Sequence, residues 1–176
     1  HLGNGVVIEN TYGSVVSGNM IEECKGIAIV LDRDCYGIAL SANVIAHEQT
    51  GGIALLDAHG CAVSANTFTI MGKDALRIGP KSGRITVTGN NFCDSYIGAD
   101  QLKRTQNDRR AGGMVLNGTS GIAVTGNLFS GLRPKAVAVE GRASKNVLFT
   151  DNVLVDTAGD QNKLEASVVK DNLEGK

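Results

Sequence analysis

Tryptophan is absent from the 176 residues, aromatic residues amount to 4 %, and there are two prolines. That scarcity, set against 23 glycines, suits a chain of tight turns. No apolar run approaches the length that crosses a membrane. Up to residue 160 no apolar period of 3.6 residues is held for three turns, which excludes a helical fold. The formal net charge of −1 argues against bulk attraction to nucleic acid. Cys24, Cys35, Cys61 and Cys93 form no CxxC pair, and His1, His47 and His59 do not join them at ligand spacing. Neither a disulfide framework nor a zinc site is expected, and no metal or other cofactor.

What the chain does have is repetition. One phrase recurs around an asparagine: "VVSGNMI" at Asn19, "ALSANVI" at Asn43, "AVSANTF" at Asn66, "TVTGNNF" at Asn90, "AVTGNLF" at Asn127 and "LFTDNVL" at Asn152. The steps are 24, 23, 24, 37 and 25 residues, and a fainter seventh copy, "VVKDNLE", follows after 20 with Asn172. A second phrase precedes each asparagine: "GVVI" (5–8), "GIAI" (26–29), "GIAL" (52–55), "ALRI" (75–78), "GMVL" (113–116) and "AVAV" (136–139). Short apolar runs of period 2, bounded by Gly, Asn, Asp and Ser, are strands.

Such a repeat cannot bury its apolar side alone and must stack on the next one. Equivalent strands then lie parallel and in register, about 4.8 Å apart. Position in the repeat fixes environment. Five residues before each asparagine stand Ser14, Ile38, Cys61, Ile85, Ile122 and Val147; three before stand Val16, Leu40, Val63, Val87, Val124 and Phe149; two after stand Ile21, Ile45, Phe68, Phe92, Phe129 and Leu154. These are inward columns. Val15, Ala39, Ala62, Thr86, Ala123 and Leu148 point outward, as do Val7, Ala28, Ala54, Val115 and Ala138, a column that Arg77 interrupts. The asparagines are expected to take up the left-handed bend between two strands and to bond to one another through their amides.

This pattern resembles the right-handed parallel β-helix repeat family, the fold of pectate lyases, polygalacturonases, alginate epimerases and phage tailspikes. The resemblance covers residues 5–157 and implies an all-β solenoid of six to seven coils, each of 23–25 residues, with one long loop. Residues 1–157 are read as one domain and 158–176 as a final partial coil, with a last strand at 166–170. With no segment to cover the first coil, the chain is read as a C-terminal part of a longer β-helix.

The 37-residue step is an insertion, "SYIGADQLKRTQNDRR" at 95–110, which carries a local charge of +2. Long loops in repeat proteins commonly carry function. Polar residues of the same turn in other coils should line up beside it. Glu23, His47, Asp94 and Asp156 share the column four residues after the asparagine, next to Glu22, Glu48, Lys73, Asp74, Arg133 and Lys135. Carboxylates, a histidine and guanidiniums along a groove suit an acidic polysaccharide, since planar guanidinium binds carboxylate bidentately. Turns are also polar simply because they are wet.

The catalytic motifs "NTD", "DD", "GHG" and "RIK" of polygalacturonase-like enzymes do not occur, and "DAHG" at 57–60 only echoes the epimerase motif. Elimination from a uronate needs carboxylate neutralisation, a base and an acid, for which His47, Tyr96, Arg104 and Arg109 are candidates. Hydrolysis needs two carboxylates, for which Asp94 with Glu48 or Asp74 is available. The expected catalytic set is therefore His47, Asp94, Arg104 and Arg109. Glu23, Glu48, Lys73, Asp74, Arg77, Tyr96 and Arg110 are expected to bind substrate. The resemblance implies a carbohydrate-active or carbohydrate-binding protein, a polysaccharide lyase, glycoside hydrolase or epimerase, in a secreted or periplasmic setting. The rival is a structural or adhesive shaft that packs against the rest of its β-helix or against its own copies.

Overall fold

In the computed structural model, residues 2–93, 112–159 and 164–175 are described. They form a right-handed parallel β-helix of about six turns, and no helix occurs among them. Each coil contributes one strand to each of three parallel sheets. The first sheet holds Val6–Glu9, Ile27–Asp32, Gly51–Leu55, Asp74–Ile78, Gly112–Leu116 and Val137–Val139. The second follows the chain through Val15–Ser17, Ala39–Ser41, Ala62–Ser64, Gly83–Thr88, Ser120–Thr125 and Ser144–Thr150. The third begins one residue past each asparagine, from Met20–Glu22 to Leu173–Gly175. The C-terminal end is more regular than one frayed strand: Val168–Lys170 pairs with Ser144–Thr150, and Leu173–Gly175 pairs with Val153–Val155.

The asparagines form a ladder of seven. The Nδ2 amide of each donates to Oδ1 of the next, from Asn19 to Asn172, at 2.9–3.0 Å. The same Oδ1 accepts the backbone N–H of the asparagine one coil back, as from Asn66 to Asn90 at 2.9 Å. The left-handed bend, however, falls on the residue before the asparagine. Gly18, Ala42, Ala65, Gly89, Gly126, Asp151 and Asp171 all have φ between 52° and 69°. None of the ladder asparagines is itself left-handed, and the amide of each internal asparagine reaches both neighbouring coils.

Inside, like stacks on like. Phe68, Phe92 and Phe129 are in register, with adjacent centroids 4.8 Å apart and rings within 3° of parallel. That spacing is the strand separation itself. The inward columns in the second sheet are buried from Ile38 and Leu40 onward.

One expected column is corrected. Ala28 lies in the core, and the outward position of its coil belongs to Val30, between Val7 and Ala54. The repeat of the second phrase is set by a small residue, not by the glycine of "GIAI". Gly5, Ala28, Gly52, Ala75, Gly113 and Ala136 align where the chain enters the first sheet. A Cβ on Gly52 would lie 2.4 Å from the Ala75 carbonyl and 3.1 Å from Met71 and Phe68. Little more than hydrogen or methyl fits in that corner.

The insertion leaves the ladder undisturbed. Leu76, Arg77 and Ile78 pair with Met114, Val115 and Leu116 as regularly as coils of ordinary length do. Truncating Phe92 to Ala should cost about 3–5 kcal/mol, since it removes the middle of a three-ring stack. Urea denaturation measures the loss. Hydrogen exchange should place it in the adjacent coils; equal loss of protection near Val7 and Leu173 would contradict nearest-neighbour stability.

Candidate functional site

The polar residues read from the sequence separate into three environments. Asp94, Tyr96, Arg104, Arg109 and Arg110 lie outside the described residues. The others sit either on the corner between the third and first sheets or on the outer face of the first.

On the corner, the column four residues after the asparagine is, in the described coils, a turn of fixed shape. Glu23, His47, Ile70, Gly131 and Asp156 share φ values of 46–67°. The column therefore exists for the bend, and its polarity varies from coil to coil. Glu23 is exposed, and His47 Nδ1 lies 3.7 Å from Glu22 Oε2, an ion-pair separation once the imidazole is protonated. Farther along, Arg133 Nη2 donates to Asp156 Oδ2 at 2.9 Å. Lys73 is exposed just before the next strand, which begins at Asp74.

Glu48 does not belong to that surface. It is wholly buried in the next column, whose other described members are Cys24, Met71, Leu132 and the half-buried Thr157. The Cys24 N–H donates to Glu48 Oε2 at 3.1 Å, while Oε1 is without a partner. Burial pushes the Glu48 carboxyl above its usual range, against the lowering effect of the Cys24 thiol and amide. Burial and the neighbouring carboxylate also push the Cys24 thiol up. Its sequence position suggested a wet turn because the residue before it, His47, is one; the left-handed φ at His47 rotates the next side chain inward.

On the outer face of the first sheet, Arg77 organises a cluster. Its Nε donates to Asp74 Oδ2 at 3.0 Å, and Nη1 donates to Glu140 Oε2 at 3.0 Å. Nη2 also reaches Asp74 Oδ2. Burial alone would lower the guanidinium's affinity for its proton, but the bonds and charges of Asp74 and Glu140 raise it. Two carboxylates two coils apart are thus clamped on one arginine. Val30, Ala54 and Val115 in the Arg77 column are buried, and toward the first coils the same face carries a second, more exposed pair, Arg33 Nη1 to Glu9 Oε2 at 3.1 Å.

Asp74 and Arg77, both expected in the groove, are brought together. Glu140 was not expected, because it is 63 residues away in sequence. Its signal was present: it stands one residue past "AVAV", in the column where Glu9 and Asp32 stand in the first two coils.

The Glu48 environment makes stability depend on pH. A raised folded-state value means that the folded chain keeps a proton that the unfolded chain loses above about pH 4.3. The stability contribution is full below that point and declines as pH rises through the folded-state value. Glu48→Gln should flatten this decline, so its advantage over the parent in urea midpoint should grow from acid to neutral pH. Parallel pH profiles for the two proteins would show that Glu48 does not titrate abnormally.

No curated protein matches the chain by sequence. Among solved structures it is similar to DFA-IIIase from Arthrobacter chlorophenolicus A6. A mutant form of that protein superposes with a TM-score of 0.73 at 15 % identity, covering 98 % of this chain and 42 % of that one. The complex with DFA-III gives 0.61 at 17 % identity, covering 92 % and 45 %. The form without its lid gives 0.58 at 16 %, covering 98 % and 54 %. The likeness is one of fold, and this chain spans about half the length of those proteins. Residues 1–109 match the family described as "Periplasmic copper-binding protein (NosD)", and the chain belongs to that family.

Proposed function

We propose that this chain is a carbohydrate-binding or carbohydrate-processing segment of a β-helix protein in the periplasm or outside the cell. The observation that carries the reading is the clamp on the outer face of the first sheet, where Asp74 and Glu140 hold opposite parts of the Arg77 guanidinium. The clamp does not use Asp74 Oδ1 or Glu140 Oε1, and such oxygens accept hydrogen bonds from sugar hydroxyls. A pair of carboxylates on one face is also the equipment of glycoside hydrolysis. Solved proteins of the same fold are carbohydrate-active, and the family is a periplasmic one; both support the reading.

The copper in the family's description does not fit this chain's described residues. No group of three among His, Cys, Asp and Glu occurs there. Cys24 and Met71, the soft donors of the buried corner, stand two coils apart with Glu48 between them. Two coil heights are roughly 10 Å, more than one ion can bridge.

Affinity electrophoresis of the whole chain through gels containing inulin, alginate or polygalacturonate tests the reading. Retardation by at least one of them is expected, and the double variant Asp74→Asn, Glu140→Gln should weaken it about tenfold or more, equivalent to about 1.4 kcal/mol. Free migration of folded protein in all three gels would overturn it.

A second reading, a structural shaft, is favoured by the outward column of the second sheet. Val15, Leu148 and Val168 there are 67 %, 38 % and 47 % exposed. Such apolar strips mark packing surfaces. Sedimentation showing a stable dimer or trimer would support this role, and a monomer at every concentration would set it aside.

A further inference from the structure

A different face, on the corner between the first and second sheets, carries a column that the repeat phrases did not reveal. Parallel pairings place Tyr12 beside Tyr36, Tyr36 beside His59, His59 beside Gly83, Gly83 beside Ser120 and Ser120 beside Lys145. Six coils thus present, in one line along the solenoid axis, two tyrosines, an imidazole, a bare backbone, a hydroxyl and an ammonium. The line is roughly 24 Å long at one strand spacing per coil.

The tyrosines are exposed yet held. Tyr12 is 63 % and Tyr36 49 % exposed. The Tyr12 hydroxyl donates to Asp34 Oδ2 at 2.9 Å. The Tyr36 ring lies 3.3 Å from where a Cβ on Gly60 would stand, and the Arg84 guanidinium carbon is 5.6 Å from its centroid. Gly60 has φ of +59°, so the position favours glycine twice over. Rings fixed in this way lose little freedom when a ligand stacks on them.

Beyond the tyrosines the line enters an open groove of about 550 Å³, lined by His59, Lys81, Gly83, Arg84, Gly118 and Ser120 among others. Gly83 forms its floor, since a side chain there would meet the Ser120 carbonyl at 2.7 Å. Arg142 stands at its rim, with its Cβ 3.1 Å from the Cβ position of Gly118. Lys81 is paired with Asp57 at 3.7 Å. Arg84 and Arg142 have no carboxylate partner among the described residues, whereas Lys145 stands in register beside Glu165 of the next coil. The cations of the groove still outnumber its carboxylates, Asp57 and Glu165.

We propose that this column binds an extended acidic oligosaccharide lying along the solenoid axis. Its sugar faces stack on Tyr12 and Tyr36, and its carboxylate or sulfate groups are held by Arg84, Arg142 and Lys145. The ligand class rests on the carbohydrate reading, but the site is separate from the Asp74–Arg77–Glu140 clamp. Rigid aromatic faces suit the C–H face of a pyranose, and unpaired guanidinium suits its acid group.

The absence of tryptophan makes tyrosine emission a direct reporter. The whole chain is titrated with oligogalacturonate and, separately, with a neutral inulin oligomer. Oligogalacturonate should change the emission and bind more tightly than the neutral sugar, with an affinity that falls as salt rises. Tyr36→Ala and Lys145→Glu, both surface changes, should each weaken it at least tenfold by calorimetry. Parental affinity in both Tyr36→Ala and Lys145→Glu, with loss in the Asp74→Asn, Glu140→Gln variant, would overturn this site while sparing the carbohydrate reading. Preference for the neutral sugar would overturn the proposed ligand, and folded parent that binds neither sugar would overturn the site and its ligand.

Discussion

Coil height and register in this protein depend on one interaction, the amide ladder from Asn19 to Asn172. Each internal asparagine accepts two hydrogen bonds through Oδ1 from one neighbour and donates through Nδ2 to the other and to a backbone carbonyl, as Asn66 does to Leu40 at 2.9 Å. An amide buried without such partners would be costly, and here every partner is supplied by an identical residue one coil away. A register slip of one residue would break the amide column and turn every inward side chain outward together. The phenylalanine stack and the aliphatic columns are consequences of that alignment.

The corners obey a second constraint, which is space. Small residues from Gly5 to Ala136 admit Cys24, Met71 and Leu132 to the interior of the corner before the first sheet. Glu48 enters the same column and is held by the Cys24 amide. One residue earlier, the left-handed bend at Glu23, His47 and Asp156 keeps those side chains at the surface. Adjacent polar residues in sequence therefore have opposite fates, and a polar turn is not by itself a site.

Two faces remain on which chemistry can be organised. The first sheet clamps two carboxylates on Arg77, beside buried apolar neighbours, and pairs Arg33 with Glu9 nearer its first coil. The corner beside the second sheet distributes charge along the coils, with aromatic rings at one end and Lys145 beside Glu165 at the other. A solenoid makes both arrangements cheap, because a residue placed at one position of the repeat acquires neighbours at about 4.8 Å intervals without any long-range design.

The sequence by itself determined the solenoid, its columns and its ladder, because a repeat of about 24 residues turns position along the chain into position in space. Asn172, Phe92 and the return of regular pairing at Gly112 were all legible in that way. It could not settle where each coil starts, since "GIAI" and "GIAL" look alike while steric room in the corner aligns Ala28, not Gly26, with Gly52. Nor could it reveal Glu140 over Arg77, Glu48 inside the corner, or Tyr12 in line with Lys145. Those depend on the direction in which a side chain leaves a turn and on which coils a long side chain spans. Only the tertiary structure decides such matters, because they are contacts between coils and belong to no single repeat.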